Sequence, residues 1–335
     1  MNLLVTGATG FVGAVLLPRL IEKYGAAAVA AFVLPGDRIP DSWAGRGVRI
    51  FEGDIADPAA VQAAVAGRTH VAHLAGLISY WRGDRERLFR VNRDGARVVG
   101  EACLVAGVQR LVHISSVGAI GFHKDGHPAD EETPYNWPES ILYMASKHAG
   151  QEAVEELIRT RGLPAVIINP ASIMGPGDHN PMTPHNQLYG MISKNRIMGS
   201  FTGGLAVVDV RDLADLIAEA LAGKGRDGQR YLAVGANLTY AETIRLISGA
   251  CGRNTRPVPI PAALVAAGGG LVEGVSALFR KRPLITFAYG RLSGWRSYYD
   301  NEKSVREFGH TYLPVERTIA DGWEYYRQHH QRGTP

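Results

Sequence analysis

Cysteine is scarce: the 335-residue chain holds two, Cys103 and Cys251, in unrelated contexts. Two isolated thiols give neither a disulfide framework nor a metal-ligand spacing, and such usage fits a reducing cytoplasm. Charge imbalance is slight too, with 36 Lys and Arg against 32 Asp and Glu, a formal net charge of +4. Basic residues are scattered apart from Arg280-Lys281-Arg282, so no basic stripe marks a nucleic-acid surface. Strand-forming residues begin at Asn2, which leaves no room for an export signal ahead of them. No uncharged apolar run is long enough to cross a bilayer. The nearest, "AALVAAGGGLVEGVSALF" at 262–279, contains Glu273 and four glycines. It reads as a helix broken near Gly268–Gly270 that packs inside the protein or walls a pocket, without stable membrane insertion. G-x-S-x-G is missing, as is G-K-[S/T] after the first glycines, which excludes a serine-hydrolase elbow and a kinase-like P-loop.

Apolar residues make up 46% of the chain, enough for a sizeable core in one large or two merged domains. The first half alternates apolar runs with helix-like segments, as parallel βαβ units do. Strands are expected at Leu3–Thr6, Val29–Val33, Val48–Glu52, His70–Leu74, Arg110–Ser115 and Ala165–Asn169. Helices are expected at Phe11–Tyr24, Pro58–Ala66, Asp94–Ala106 and Leu142–Arg161. The fold class is therefore α/β, a doubly wound parallel sheet of Rossmann type with a smaller, mainly helical C-terminal lobe. Residues 1–174 form the dinucleotide-binding domain and 175–335 the substrate lobe, with 206–235 returning to the first domain. Residues 175–205, rich in Gly, Pro, Asn and Met, read as a long loop or small cap.

"TGATGFVG" follows the first strand and opens a helix. Gly7 permits a sharp turn, Gly10 admits a pyrophosphate to the backbone, and Gly13 allows close packing of the helix that follows. The spacing is G-x-x-G-x-x-G, so it is the context that marks a nucleotide site. Asp54 and Ile55 follow the third strand, and "HLAG", residues 73–76, ends the fourth with small residues. His73 by itself reads as structural.

"YMASK" sets Tyr143 and Lys147 at i and i+4, on one helical face. A ketone gaining hydride needs a proton, and tyrosine can give it. With a pKa near 10 it is a poor base in reverse, and an ammonium one turn away stabilises the phenolate. Ser116, in "HISSVGAIG", ends the fifth strand and can donate to the same oxygen, with Ser115 as its rival. His123 and His127, with Asp125 and Asp130 nearby, lie in a Gly/Pro-interrupted loop that fixes no common face, so no metal is expected.

With these elements in this order, the chain resembles an extended short-chain dehydrogenase/reductase. That group contains nucleotide-sugar epimerases, dihydroflavonol reductases and 3β-hydroxysteroid dehydrogenases, and the bacterial dihydroflavonol-reductase-like branch looks nearest. The matching elements are TGATGFVG, Asp54-Ile55, HLAG, Asn92 in "VNRDG", Ser116, Tyr143 and Lys147, "NPASIMGPGD", "VVDVRDLAD" and residues 298–316. The resemblance implies NAD or NADP as cofactor. It places Gly7, Thr9, Gly10, Phe11, Val12 and Gly13 at the pyrophosphate, and Asp54 and Ile55 at adenine. Leu74, Ala75 and Gly76 would lie beside the ribose nearer nicotinamide, with Asn92 in support. Lys147 would also hold the nicotinamide ribose, Tyr143 would contact the cofactor as well, and Pro170 through Ile173 would sit against the carboxamide.

Epimerases of this group typically carry R-x-x-N-x-x-G after the sixth strand, whereas here Asn169 and Ser172 stand in the Arg and Asn places. Leu77, Ile78, Tyr80, Trp81, Tyr135, Trp137 and Met182 add an apolar and aromatic surround. The expected substrate is a carbonyl or alcohol on a small, fairly apolar molecule. A nucleotide-sugar epimerase and a non-catalytic NAD(P) sensor are the alternatives. The choice between NAD and NADP stays open, because Leu34, Asp37 and Arg38 after the second strand argue in different directions. A homodimer through the Tyr143 helix and its predecessor is expected, with Ala145, Ala149 and Val154 available for packing.

Overall fold

The computed structural model describes residues 1–197, 199–278 and 287–331. Six of the short apolar runs become parallel strands: β1 (Leu3–Thr6), β2 (Val29–Val33), β3 (Arg49–Glu52), β4 (His70–His73), β5 (Arg110–Ile114) and β6 (Ala165–Pro170). A seventh, Arg230–Ala233, arrives late in the chain and pairs with β6. The order across the sheet is Arg230–Ala233, β6, β5, β4, β1, β2, β3, with every neighbour parallel. It reverses between β1 and β4, and in such sheets ligands bind at that switch point, outside the carboxyl ends of the strands.

β1, β2 and β6 are buried throughout, as strands covered on both faces must be. Leu3 and Val5 join Leu16, Leu17 and Leu20 of helix α1 (Phe11–Tyr24) and Leu213 and Ile217 of the helix Val210–Leu221 on one face. Leu4 joins Val61, Val99 and Val154, from the helices Pro58–Val65, Gly95–Ala106 and Leu142–Arg161, on the other. The chain is thus a doubly wound α/β protein.

Beyond β6 the strand Ser172–Met174 pairs with Gly204–Asp209, itself flanked by Ala236–Thr239 and Arg296–Ser297. The stretch read as a long loop or small cap, 175–205, contains the helix Pro184–Ser193, whose Tyr189 is fully buried against Tyr326.

Two readings are corrected. The glycine-rich tract forms one continuous helix, Ala262–Leu278, with no break at Gly268–Gly270. Each internal glycine costs about 1 kcal/mol relative to alanine, but close packing outweighs it: a Cβ on Gly290 would lie 2.5 Å from the Ala266 Cα, so the helix Phe287–Leu292 rides against this backbone. Val154 is wholly buried toward the sheet and so is closed to any partner, while Ala145 and Ala149 stay half-buried. Among the described residues no helix is long and apolar enough to cross a membrane. Arg280-Lys281-Arg282 lies outside them.

Candidate active site

The glycine turn sits at the sheet's switch point. Gly7 holds a φ of +65°, and a Cβ there would come within 2.8 Å of the Ala75 backbone, so the Leu74–Gly76 segment lies directly against the turn. A Cβ on Gly13 would lie 2.3 Å from the Ala8 carbonyl oxygen, which seats α1 hard on the turn. Gly10 caps α1 without a side chain, and its first turn carries no acid. The first-turn N–H groups of Phe11, Val12 and Gly13 therefore have neither an intrahelical carbonyl nor a side-chain cap. An uncapped helix end at a switch point fits the pyrophosphate of a dinucleotide. Thr9 donates to the Asp37 carboxylate at 2.5 Å, and the Leu34 N–H reaches the same oxygen at 3.3 Å. Asp37 is thereby folded back from the end of β2 onto the glycine turn.

Asp54, expected beside adenine, accepts from the Ala56 N–H at 2.9 Å and from Arg90 at 2.6 Å. Ile55 is a core residue packed on Gly95. Toward the other end, the Ala75 N–H donates to Thr6 Oγ1 at 3.3 Å, and Thr6 is joined to His73 Nδ1 at 2.8 Å. His73 stacks on His113 with centroids 5.2 Å apart, and both are buried. Burial pushes His73 down to about 3 and His113 well below the usual histidine range, so both rings are neutral. Pro170 ends β6, and Ile173 lies on the strand just after it.

Ser116 lies beside the Tyr143 phenol, and its Oγ accepts from the Gly118 N–H at 3.0 Å. Ser115, the rival, is buried with its hydroxyl unpartnered. Lys147 Nζ donates to the Ile114 carbonyl at 3.0 Å, and a Cβ on Gly76 would lie 3.7 Å from it. Burial pushes the Tyr143 phenol above its ordinary value and neighbouring Ser116 offsets part of that. Burial also brings Lys147 down to about 8. The sequence led us to expect a phenol lowered by its lysine. In the structure burial dominates, and the ammonium is directed at a backbone carbonyl.

Asn92 holds this region together. Its side chain accepts from the Leu77 N–H at 2.8 Å and donates to the Leu77 carbonyl at 2.9 Å and to Ser146 Oγ at 2.9 Å. Ser146 is fully buried and donates to the Tyr143 carbonyl at 2.7 Å. Sequence reasoning passed over Ser146, although a small polar residue three positions after the tyrosine was the available signal. Tyr80 packs edge-on to Tyr143 at 5.7 Å. Trp137, by contrast, belongs to the core: it packs at a tilt on Phe122 at 4.4 Å and donates to the Ile120 carbonyl at 2.8 Å. Tyr135 stacks on His148 at 3.9 Å, while Ile78 and Met182 are exposed. Among the described residues no group of three or more His, Cys, Asp or Glu is arranged to hold a metal.

The fold and its switch-point turn define a Rossmann-type nucleotide-binding protein. The chain belongs to the NAD dependent epimerase/dehydratase family, whose model matches residues 3–233. It is 31% identical to a putative dihydroflavonol 4-reductase of Synechocystis sp., over 97% of this chain and 94% of the relative. It is likewise 31% identical to a 3-beta-hydroxysteroid dehydrogenase of Mycolicibacterium neoaurum, over 97% and 91%. The crystal structure of gox2253 superposes with a TM-score of 0.83 at 30% identity, covering 98% of both chains. DesIV, a dTDP-glucose 4,6-dehydratase from Streptomyces venezuelae solved with NAD, shares the fold at a TM-score of 0.78 and 22% identity, over 99% of this chain and 98% of DesIV. Family and relatives indicate an NAD-dependent oxidoreductase or epimerase.

Proposed function

We propose that this protein interconverts a carbonyl and a secondary alcohol on a small, fairly apolar substrate, with Tyr143 as the acid/base. The observation that carries this reading is the Ser116 hydroxyl beside the Tyr143 phenol, with the buried Lys147 amine one turn further along the same helix. Bound NAD supplies or accepts the hydride. The uncapped start of α1, from Gly10 to Gly13, binds the pyrophosphate, and Thr9 positions Asp37. Asp37 then receives the hydroxyls of the adenine ribose, which favours NAD over the phosphorylated cofactor. Asp54 borders adenine, Leu74 to Gly76 line the ribose nearer nicotinamide, and Pro170 and Ile173 face the carboxamide.

During reduction the Tyr143 phenol donates its proton to the developing alkoxide, while Ser116 donates a hydrogen bond to the same oxygen. Lys147 as an ammonium then stabilises the phenolate left behind. The reductase reading is preferred to the epimerase one because Asn169, in the place of the epimerase arginine, is fully buried. Its side-chain amide donates to the Ser116 carbonyl at 2.8 Å and to Gln151 at 2.6 Å, so it is engaged within the protein.

The test is a panel of ketones, aldehydes and secondary alcohols, 3β-hydroxysteroids included, followed by nicotinamide absorbance. At least one member gives net turnover, and Tyr143→Phe lowers it by about 10²–10⁴-fold while NADH still binds. Full activity of that variant removes Tyr143 from the role. Silence across the panel, together with thermal stabilisation by a nucleotide-sugar, favours the epimerase.

A further inference from the structure

From Pro257 to Leu278 the sequence holds one charged residue, Glu273. The structure turns the large aliphatic side chains of this stretch outward. Val258, Ile260, Leu264, Leu271, Val272 and Val275 are between 36% and 72% exposed. Leu264, Leu271 and Val275 fall at i, i+7 and i+11, on one face of the helix, with Gly268 between them. The residues turned inward are the small ones, Ala266 and Gly269. A helix that docks only on its own protein does the reverse, burying leucine and exposing alanine or charge. An apolar face this continuous marks an interaction surface.

Its surroundings say which. Glu273 does not interrupt the face: it accepts from the Phe287 N–H at 3.2 Å and lies 3.5 Å from Arg82. Among the described residues the unpaired charge nearby is basic: Arg256, two residues before Val258, and Arg291, on the helix that packs against Ala266, are both exposed, while Arg82 is matched by Glu273. Two copies meeting here about a two-fold axis would bring like charges together, whereas an anionic lipid surface satisfies both the aliphatic face and the arginines. We propose that this face docks on anionic bilayers, with the helix lying in the membrane surface and its leucines and valines entering the headgroup–acyl boundary. Arg82, paired with Glu273, continues from Trp81 and Tyr80, and Tyr80 packs on Tyr143, so the inner side of this helix lies near the candidate active site. The docking stands independently of the proposed reaction, since its readout needs no turnover.

Sedimentation with phosphatidylcholine vesicles, with and without about 30% phosphatidylglycerol, tests it. The protein is expected to pellet with the anionic vesicles and to be released by salt. The double variant Leu264→Glu, Leu271→Glu is expected to bind at least ~10-fold more weakly, with its NADH titration and melting curve unchanged because both side chains are exposed. Failure to pellet with either vesicle overturns the proposal, as does undiminished pelleting of the double variant. Concentration-dependent dimerisation abolished by the same variant, without vesicle binding, would reassign the face to a second copy.

Discussion

Lys147 gives the protein a pH signature that can be read without knowing its substrate. Burial lowers it to about 8 in the folded state, against roughly 10.4 in an unfolded chain. Below pH 8 both states are protonated there, and burying the charge opposes folding. Between the two values the unfolded chain binds the extra proton, so stability rises with pH. Urea unfolding of wild type minus Lys147→Met, taken from pH 7 to about 9.5, isolates this slope from the tyrosines that titrate higher. A difference that stays flat shows the lysine charge to be solvated after all. The same residue shows what a sequence discloses. Tyr143 and Lys147 were legible because i and i+4 share a face by helical geometry alone. Asp37 was not, since its meaning depends on Thr9, 28 positions earlier, which only the closed β1–β2 pair brings within hydrogen-bond reach.

At the scale of elements, the helix Leu142–Arg161 is aligned by a π-helical turn, Arg90–Asp94, pressed against it. A Cβ on Gly150 would lie 2.1 Å from the Asn92 carbonyl oxygen, a contact no rotamer can relieve. Gly150→Ala should therefore destabilise the protein by about 1–3 kcal/mol and also lower turnover, because Asn92 leans on Leu77 and Ser146. Denaturation and a single substrate assay check both; a variant as stable and as active as wild type removes the turn from this role. Element existence was readable from hydrophobic periodicity: β1, β2, α1 and the Tyr143 helix match their expected bounds. The Gly268–Gly270 helix was misread because local propensity predicted a break and tertiary packing overrode it. The π-turn left no periodic trace, since its widened backbone answers to Gly150, far along the chain.

For the whole molecule, we propose a two-fold pair through the helices Gly95–Ala106 and Leu142–Arg161. Their outer face forms an open groove of about 710 Å³ lined by Arg93, Arg97, Ala149, Glu152, Glu156 and Arg159. Mixed charges of this kind can complement a rotated copy, and salt screens them. Light scattering should show a dimer at low ionic strength that loosens in 0.5 M salt, roughly a Debye length of 4 Å; a monomer in both sinks the idea. The late strand has a different consequence, for biosynthesis. Residue 170 completes six strands, yet the partner that covers the open side of β6 is not made until residues 230–233. At about 5–20 residues per second, a nascent chain holds that unpaired edge for several seconds. Throughout that interval the ribosome-bound half-protein is open to strand capture by its neighbours, and this late step is where slow translation or a trigger-type chaperone would matter most.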